Sequence, residues 1–276
     1  MSPVTEGRFI DVLPALQAVA ARFCGPLADE HPGQLAWSSV YEGREAPAVA
    51  FGDEAYGFLE SPRWLEVGGD PGRAADVIDW ARARTSGFNV TAIDGPLAGR
   101  LAELGGTAVP GAPWFIQQTA GLAAVTAPQG PGYRFRHVER HEAAARAACH
   151  RAAWSDKKPS RMTERMYAWL MDAPYYDPGL DWVAVSDRDG QLAASCVTWV
   201  CGRVALVEPV GCAPEHRRQG LGGAVTLAAL AAARERGATV GIVRPRGDDG
   251  YHIPAQAVYR SIGFRDRLRT REYRFP

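Results

Sequence analysis

The sequence predicts a mixed α/β protein with two domains. Its 276 residues exceed the usual domain length of about 150 residues. Short apolar runs bounded by Gly, Pro and Asp alternate with Ala- and Leu-rich segments of helical periodicity, which is typical of strands alternating with helices. The uncharged, Pro- and Gly-rich stretch AAVTAPQGPGY, residues 123–133, has the composition of a linker. We therefore predict domains at residues 1–122 and 133–276, joined by a linker at residues 123–132.

The composition excludes several classes of protein. Hydrophobic residues make up 46% and charged residues 22% of the chain, as in globular proteins and unlike disordered ones. The 31 basic and 31 acidic residues cancel, so no net field favours nucleic acid or an anionic membrane. We find no run of roughly 18 apolar residues and no signal-peptide core, and we expect a cytoplasmic protein. We further expect it to be a monomer or a homodimer.

The cysteines predict neither a disulfide framework nor a metal site. They lie at Cys24, Cys149, Cys196, Cys201 and Cys212, an odd number without CxxC spacing. We expect reduced, mostly buried thiols and no bound metal.

The second half has the more regular pattern of elements. Its predicted order is β-α-α-β-β-β-α-β-α-β, which is too short for a barrel of eight βα units. The predicted strands lie at 133–138, 182–186, 192–200, 204–212, 239–243 and 264–275, and the helices lie at 140–154, 161–173, 220–236 and 254–262. Pro209, which lacks a backbone N–H, predicts either a bulge in the fourth strand or a nitrogen that faces away from the ladder. The last strand alternates charged with Leu and aromatic residues, as edge strands do.

The first half gives a fainter version of this order. The predicted helices lie at 9–23, 72–84 and 96–104, and the strands at 35–41, 48–51, 56–59, 64–67, 89–93 and 114–119. Its final β-α-β-α-β order matches that of the second half. We therefore predict a duplicated fold from element order alone, because the two halves share no usable sequence identity.

The most informative stretch is Arg-Arg-Gln-Gly-Leu-Gly at residues 217–222, where a glycine-rich turn links a predicted strand to a long helix. A helix N-terminus directs unpaired backbone N–H groups and the positive end of the helix dipole at one spot, which favours a pyrophosphate. Side chains at Gly220 and Gly222 would keep phosphate oxygens away from the backbone. Arg217 and Arg218 add positive charge at the rim.

Two common phosphate-binding loops do not fit this stretch. A Walker A loop requires Lys and then Ser or Thr after its last glycine, but Gly223-Ala224-Val225 follows here. A dinucleotide-binding loop requires G-x-G-x-x-G close behind the first strand of a βαβ unit, whereas R-x-x-G-x-G follows the fourth strand here.

The stretch resembles the acyl-CoA-binding motif of the GNAT superfamily of N-acyltransferases, whose signature is Gln/Arg-x-x-Gly-x-Gly/Ala at a strand-to-helix junction. The preceding VGCAPE at 210–215 is similar to the family's strand end and lead-in. Ala255-x-x-x-Tyr259-x-x-x-Gly263-Phe264 is similar to its closing helix motif, and the element order agrees from residue 133 to residue 275. The resemblance covers about half the chain. It implies two GNAT-like mixed α/β domains in tandem, each with a twisted central sheet flanked by helices.

The resemblance implies a role for each part of the motif. Acetyl-CoA, or another acyl-CoA, would be the cosubstrate, with no metal. The pantetheine arm would be bound by backbone groups of the strand residues Val210, Gly211 and Cys212. The pyrophosphate would be bound by backbone groups of the following turn, from Arg217, Arg218, Gln219, Gly220, Leu221, Gly222 and Gly223. Tyr259 matches the tyrosine that in many members donates a proton to the departing thiolate; the alternative is a core aromatic residue.

The remaining candidates each have an alternative interpretation. Glu208 lies in an otherwise apolar strand just before the pantetheine-binding residues, so it is the general base, half of a buried ion pair or an exposed side chain. Where the family often has Asn seven residues before the tyrosine, this chain has His252, which is a surface residue, a contact for cofactor or acceptor, or the base. Tyr175 and Tyr176 follow the second helix, where family members line the acceptor pocket, but aromatic packing would also explain them.

The sequence thus predicts an acyl-CoA-dependent N-acetyltransferase that acts on a primary amine of a small molecule. The alternatives are acetylation of a protein N-terminus or lysine, and a CoA-binding regulatory module without turnover. The corresponding junction of the first half, residues 68–73, has glycines but no R-x-x-G-x-G, and Asp70 would repel a phosphate. We therefore expect a degenerate first domain without cofactor; an unrelated α/β cap is the alternative.

Overall fold

The computed structural model describes residues 3–40, 42–128, 131–156, 159–247 and 253–276. Within these residues the first half of the chain forms these elements: β1 (Val4–Arg8), α1 (Phe9–Arg22), α2 (Pro32–Ser38), β2 (Pro47–Phe51), β3 (Ala55–Ser61), β4 (Trp64–Gly69), α3 (Ala74–Arg82), β5 (Phe88–Ile93), α4 (Pro96–Glu103), β6 (Thr107–Ala108) and β7 (Ile116–Gly121).

The second half of the described chain forms a corresponding series of elements. They are β8 (Tyr133–His137), α5 (Ala143–Ala153), α6 (Glu164–Met171), β9 (Asp181–Ser186), β10 (Leu192–Cys201), β11 (Val204–Cys212), α7 (Leu221–Glu235), β12 (Val240–Val243), α8 (Ile253–Ser261) and β13 (Arg265–Phe275). This is the predicted order β-α-α-β-β-β-α-β-α-β. The first half repeats it, with the short β6 added before its last strand.

Two elements of the first half differ from the prediction. The predicted strand at 35–41 is instead helix α2, which starts with Pro32 in its first turn and has the His31 side chain as an N-cap acceptor for the Gly33 N–H. Proline at a helix start and a side-chain cap both favour a helix there. Strand β1 was not predicted because its residues are mostly exposed and carry no apolar alternation.

The described residues form two compact units that interleave along the chain. The first comprises residues within 1–118, 244–256 and 266–276, and the second comprises residues within 119–243 and 257–265. This division does not follow the single cut predicted at 123–132. Within the second unit, Leu122 and Val125 are buried, and the Arg234 guanidinium donates to the Val125 carbonyl at 2.6 Å. This part of the predicted linker is therefore packed rather than free.

The sheet of the first unit has the order β1-β2-β3-β4-β5-β13. Strand β13 pairs antiparallel with β5 on one side and with β6 on the other, so the prediction of an edge strand at 264–275 is wrong. The reason is its apolar face: Phe275 is fully buried and stacks on Phe88 with ring centroids 5.2 Å apart. Helix α1 packs through Phe9 against Phe58 of β3, with centroids 4.6 Å apart.

In the second unit β12, β11, β10, β9 and β8 are neighbours in that order. All of these pairs are antiparallel except the parallel pair β11–β12. Ser195 and Gly211 are paired and face α5, because a Cβ on Gly211 would lie 2.6 Å from Ala153 Cβ. Their neighbours along each strand point to the opposite face, where α7 packs on β10 and β11.

Candidate functional site

Strands β11 and β12 diverge after three residue pairs. Their parallel register runs from Val204–Val240 to Leu206–Ile242. On its other edge β11 continues along β10 as far as Cys212. In the described part of the chain, residues 209–212 therefore have no strand partner on the side of β12. A free backbone edge of this kind can accept hydrogen bonds from an extended ligand as if it were another strand.

A β-bulge lies where the strands diverge. Glu208 and Pro209 together stand opposite the single residue Val197 of β10, so the proline prediction of a bulge is confirmed. Trp199 is fully buried, and its Nε1–H donates to the Glu208 carbonyl oxygen at 2.6 Å. This bond ties the backbone of the bulge to the interior, while Glu208 itself is half-buried.

The turn between β11 and α7 leaves backbone N–H groups available. After a short 3₁₀ turn at Pro214–His216, Arg218 and Gly220 adopt the left-handed conformation, with φ of 63° and 76°. Gly220 is the N-cap of α7, and no side chain caps this end. The first four N–H groups of a helix have no partner inside it, so those of residues 220–223 and the helix dipole act together at this turn.

The structural need for glycine differs among the three glycines of the turn. Gly220 has a positive φ, which glycine adopts without strain. A Cβ on Gly223 would lie 3.1 Å from Cγ2 of Ile262, directly after α8, and 3.6 Å from Cγ1 of Val258 in α8, so Gly223 permits close packing of α7 and α8. A Cβ on Gly222 would meet nothing within 4 Å. Among the described residues, therefore, nothing in the fold requires glycine at position 222.

The two arginines of the motif are used differently. The Arg217 guanidinium donates to the carbonyl oxygens of Cys212 and Ala153 at 3.2 and 3.1 Å and pairs with Asp156. Its side chain therefore joins the turn to the end of α5. The prediction that Arg217 adds free positive charge at the rim is wrong. Arg218 is exposed. Gln219 is also exposed, and its Oε1 accepts a hydrogen bond from the Tyr133 hydroxyl at 3.1 Å.

Tyr259 lies on α8 and is 7% exposed. Its ring packs edge-on against Phe264 with centroids 5.8 Å apart. Burial raises the pKa of Tyr259 above its ordinary value, and the nearby Cys196 and Glu208 raise it further. The phenol is thus held in its protonated form near neutral pH, and Tyr259 and Glu208 are close enough to interact electrostatically.

The three predicted acceptor residues have separate outcomes. Tyr176 is half-buried, its hydroxyl donates to Asp181 Oδ2 at 3.0 Å, and its ring centroid lies 6.2 Å from that of Trp199. Tyr175 is 38% exposed, with φ of 69°. His252 lies outside the described residues.

Sequence reasoning missed a buried charged cluster behind Tyr176. Arg146 of α5 and Asp181 of β9 are both fully buried, and Nε of the arginine donates to Oδ1 of the aspartate at 3.0 Å. The Tyr167 hydroxyl also donates to Asp181. The available signal was an arginine on the face of an Ala-rich helix that also carries buried Ala147 and Cys149.

The corresponding junction of the first unit is closed by its own side chains. Asp70 Oδ1 accepts a hydrogen bond from the Gly72 N–H at 2.9 Å, and Arg73 pairs with Glu54 and Asp76. A carboxylate therefore stands where the second unit has open backbone N–H groups.

The comparison with known families concerns the second half of the chain. Residues 145–264 match the acetyltransferase (GNAT) family. Over these residues the second half is similar to GNAT acetyltransferases. The matched segment includes β11, the glycine turn and Tyr259. None of the curated proteins matches this sequence.

Solved structures extend the likeness of fold to the whole chain. A GCN5-related N-acetyltransferase from Sphaerobacter thermophilus has 18% identity and a TM-score of 0.59, with 100% of this chain and 96% of that chain covered. A tandem GNAT protein from the clavulanic acid biosynthesis pathway has 18% identity and a TM-score of 0.59, with coverage of 99% and 98%. A GNAT-family acetyltransferase from Colwellia psychrerythraea has 12% identity and a TM-score of 0.64, with coverage of 99% and 100%. The GNAT-like fold in tandem is thus confirmed.

Two searches of the described residues were negative. None of their helices combines the length and the apolar character needed to cross a membrane. Among the same residues, no three His, Cys, Asp or Glu side chains form a group that could hold a metal ion. Cys149, Cys196 and Cys212 are free thiols.

Proposed function

We propose that the second unit binds acetyl-CoA along the free edge of β11 and the first turn of α7, and that it transfers the acetyl group to a primary amine of a small molecule. The observation that carries this proposal is the divergence of β11 from β12 directly before an uncapped, glycine-rich helix start. This combination offers an extended ligand a strand edge and offers its anionic end a set of free N–H groups.

Each part of the ligand has matching groups in the chain. The backbone of Val210, Gly211 and Cys212 suits the amide-containing pantetheine arm, because amides are both donors and acceptors. The N–H groups of residues 218–223 suit the pyrophosphate, whereas the predicted Arg217 N–H already donates to the Pro214 carbonyl oxygen at 3.2 Å. The open space beside Gly222 supports this assignment, since a side chain there would compete with phosphate oxygens and not with the protein.

Two side chains near the bulge supply the proton transfers. The amine nitrogen forms a bond to the carbonyl carbon as the carbon–sulfur bond breaks, so the nitrogen must lose a proton and the sulfur must gain one. We assign the first role to the carboxylate of Glu208 and the second to the phenol of Tyr259. The raised pKa of Tyr259 keeps its proton available, and both groups return to their starting state when solvent passes a proton from Glu208 to Tyr259.

We also propose that the first unit binds no acyl-CoA. Its equivalent junction has the N–H of Gly72 already bonded and a carboxylate in place. The expected stoichiometry is therefore one acetyl-CoA per chain.

Calorimetric titration with acetyl-CoA tests both statements. Gly222→Asp should lower the affinity about 100-fold or more, because the new carboxylate repels the pyrophosphate. It should not harm the fold, since an acidic residue in the first turn of a helix is favourable. The matched control is Gly99→Asp in α4, another helical glycine whose Cβ would meet nothing within 4 Å.

The titration has two contrary outcomes. A folded wild-type chain that binds no acetyl-CoA would overturn the proposed function. Two equivalents per chain, with only one lost in Gly222→Asp, would overturn the proposal for the first unit alone.

A further inference from the structure

Arg146 is a buried cation whose hydrogen bonds are incomplete. The side chain has no exposed surface, and only its Nε donates within the described chain, to Asp181. The terminal nitrogens Nη1 and Nη2 have no acceptor among the residues that the structure describes. A guanidinium has five N–H donors, and burying donors without partners is costly. This arginine therefore calls for an acceptor that is not part of the described protein.

Asp181 cannot supply the missing acceptor. Its Oδ1 is bonded to Arg146 Nε, and its Oδ2 accepts from the hydroxyls of both Tyr167 and Tyr176. These bonds fix the aspartate in place and leave the outer edge of the guanidinium unmatched. That edge carries two parallel N–H groups, the geometry that binds a carboxylate through two oxygens.

The other polar neighbours of Arg146 are neutral. Burial, together with the charges of Arg146 and Arg151, lowers the pKa of His150 to about 3. Burial raises the pKa of the Cys149 thiol. Neither group brings a negative charge near neutral pH, so an anion at Nη1 and Nη2 would have no competitor there.

The position of Arg146 relates it to the proposed reaction site. Its partner Asp181 is paired with Val197 of β10, and Val197 stands opposite the Glu208–Pro209 bulge of β11. Two strand spacings, about 10 Å, therefore separate Asp181 from the bulge. Trp199 lies two residues along β10 from Val197, the partner of Asp181, and therefore on the same face of the sheet as Asp181. Tyr176 contacts both Asp181 and Trp199.

On the face of the sheet that packs against α5, aromatic side chains thus surround the charged pair of Arg146 and Asp181. Trp199 ties the bulge backbone on one side, and the Arg146 guanidinium lies over the Tyr167 ring at 4.8 Å on the other. The half-buried Tyr176 donates to Asp181 and packs against Trp199. Apolar walls with one fixed charged group are typical of small-molecule sites.

We propose that Arg146 binds a carboxylate of the acceptor, which makes the acceptor a small primary amine of the amino-acid class. The inference rests on the proposed function of the second unit as an amine acetyltransferase. The acceptor amine lies at the bulge beside Glu208, and its carboxylate reaches Nη1 and Nη2 on displacement of the Tyr176 ring. Arg146 is then a specificity residue, with Asp181 as the group that holds its orientation.

The first test compares acceptors on the wild-type chain. Acetyl transfer from acetyl-CoA is measured for a panel of amino acids and for the carboxamide of each, for example phenylalanine and phenylalaninamide. Loss of a charge-assisted pair of hydrogen bonds should lower kcat/KM for the carboxamides about 10- to 100-fold. Equal or faster transfer to the carboxamides would overturn the proposal, since it would mean that water satisfies the arginine.

The second test uses Arg146→Met, with Arg165→Met on the exposed side of α6 as the matched control. The Arg146 variant should remove the preference for carboxylates while acetyl-CoA affinity stays within about twofold, and the control should keep the preference. A variant that binds acetyl-CoA normally and still prefers carboxylates would overturn the proposal. If Arg146→Met does not fold, the acceptor panel alone decides.

The two tests separate this inference from the function on which it rests. A wild-type chain that binds no acetyl-CoA contradicts the proposed function. A chain that acetylates amines without regard to a carboxylate leaves that function standing and overturns only the role of Arg146.

Discussion

The two strand-to-helix junctions of the molecule, one after β4 and one after β11, follow the same element order but use their backbone N–H groups differently. After β4, the Asp70 carboxylate accepts the N–H of Gly72 and Arg73 is held by two acidic side chains. After β11, Gly220 caps α7 without a side-chain bond and a Cβ at Gly222 would meet open space. The first junction therefore has a carboxylate bonded to one backbone N–H of the turn before α3, whereas the N-cap residue of α7 has no side chain to form such a bond.

This difference shows that a repeated order of strands and helices does not by itself repeat a binding site. The backbone supplies N–H groups at every helix start. Whether they bind a ligand depends on which side chains reach them first. A single aspartate is enough to satisfy a donor and to place a negative charge where an anion would bind, so the binding function can be lost without loss of the fold.

The largest expected effect concerns the helix that closes each half. Helix α8 carries Tyr259, whereas the equivalent α4 has the sequence PLAGRLAE and no tyrosine. Tyr259→Phe should lower kcat about 100-fold because it removes the proposed proton donor. Acetyl-CoA affinity, measured by calorimetry, should remain unchanged. A variant with full kcat would show that the sulfur obtains its proton elsewhere and would remove this distinction between the two helices.

The units also differ in their buried titratable groups. In the first, burial and the neighbouring Glu60 raise the pKa of Glu66 to about 7, and Trp64 Nε1 donates to this carboxyl at 3.0 Å. In the second, the pKa of His150 is lowered to about 3 by burial and by Arg146. Each folded unit thus favours the neutral form of its buried group, but one group is an acid and the other a base.

The His150 effect on stability has a definite sign. Between about pH 3 and its ordinary value of 6.5, the unfolded chain binds a proton at His150 that the folded chain does not bind. The free energy of unfolding therefore falls as the pH falls through this window, by up to about 1.4 kcal/mol per pH unit. His150→Gln should remove this slope, as measured by urea unfolding between pH 4 and pH 6. The exposed His141→Gln is the control, and an unchanged slope in His150→Gln would contradict the assignment.

Glu66→Gln should act in the opposite direction. The folded chain keeps a proton on Glu66 from about pH 4.5 to pH 7, whereas the unfolded chain releases it, so the wild-type free energy of unfolding falls as the pH rises through this window. The variant lacks this fall. Urea unfolding at pH 5 and pH 7 checks the sign. If Glu66→Gln and His150→Gln change the pH dependence of the free energy of unfolding in the same direction, the two units do not differ in this way.

The sequence was informative where the signals are local. The turn at 217–222 could be predicted because its glycines and the following apolar helix are contiguous. The position of β13 could not, because its pairing with β5 depends on residues 170 or more positions away in the chain. The role of the Arg217 side chain was missed for the same reason: its acceptors include Ala153 and Asp156, which only the tertiary fold brings to the turn. The Arg146–Asp181 pair likewise depends on the packing of α5 on the sheet.

The smallest expected effect gives the sharpest contrast between stability and binding. Gly222→Ala and Gly99→Ala each add a methyl group at a helical position, half-buried at 222 and exposed at 99, where the new Cβ would meet nothing within 4 Å. Each should raise the free energy of unfolding by up to about 1 kcal/mol, because alanine favours the helix over glycine. Only Gly222→Ala should also weaken acetyl-CoA binding, as seen by calorimetry. If both variants bind acetyl-CoA like the wild type, the missing side chain at position 222 does not contribute to acetyl-CoA binding. The junctions after β4 and β11 then differ only in charge.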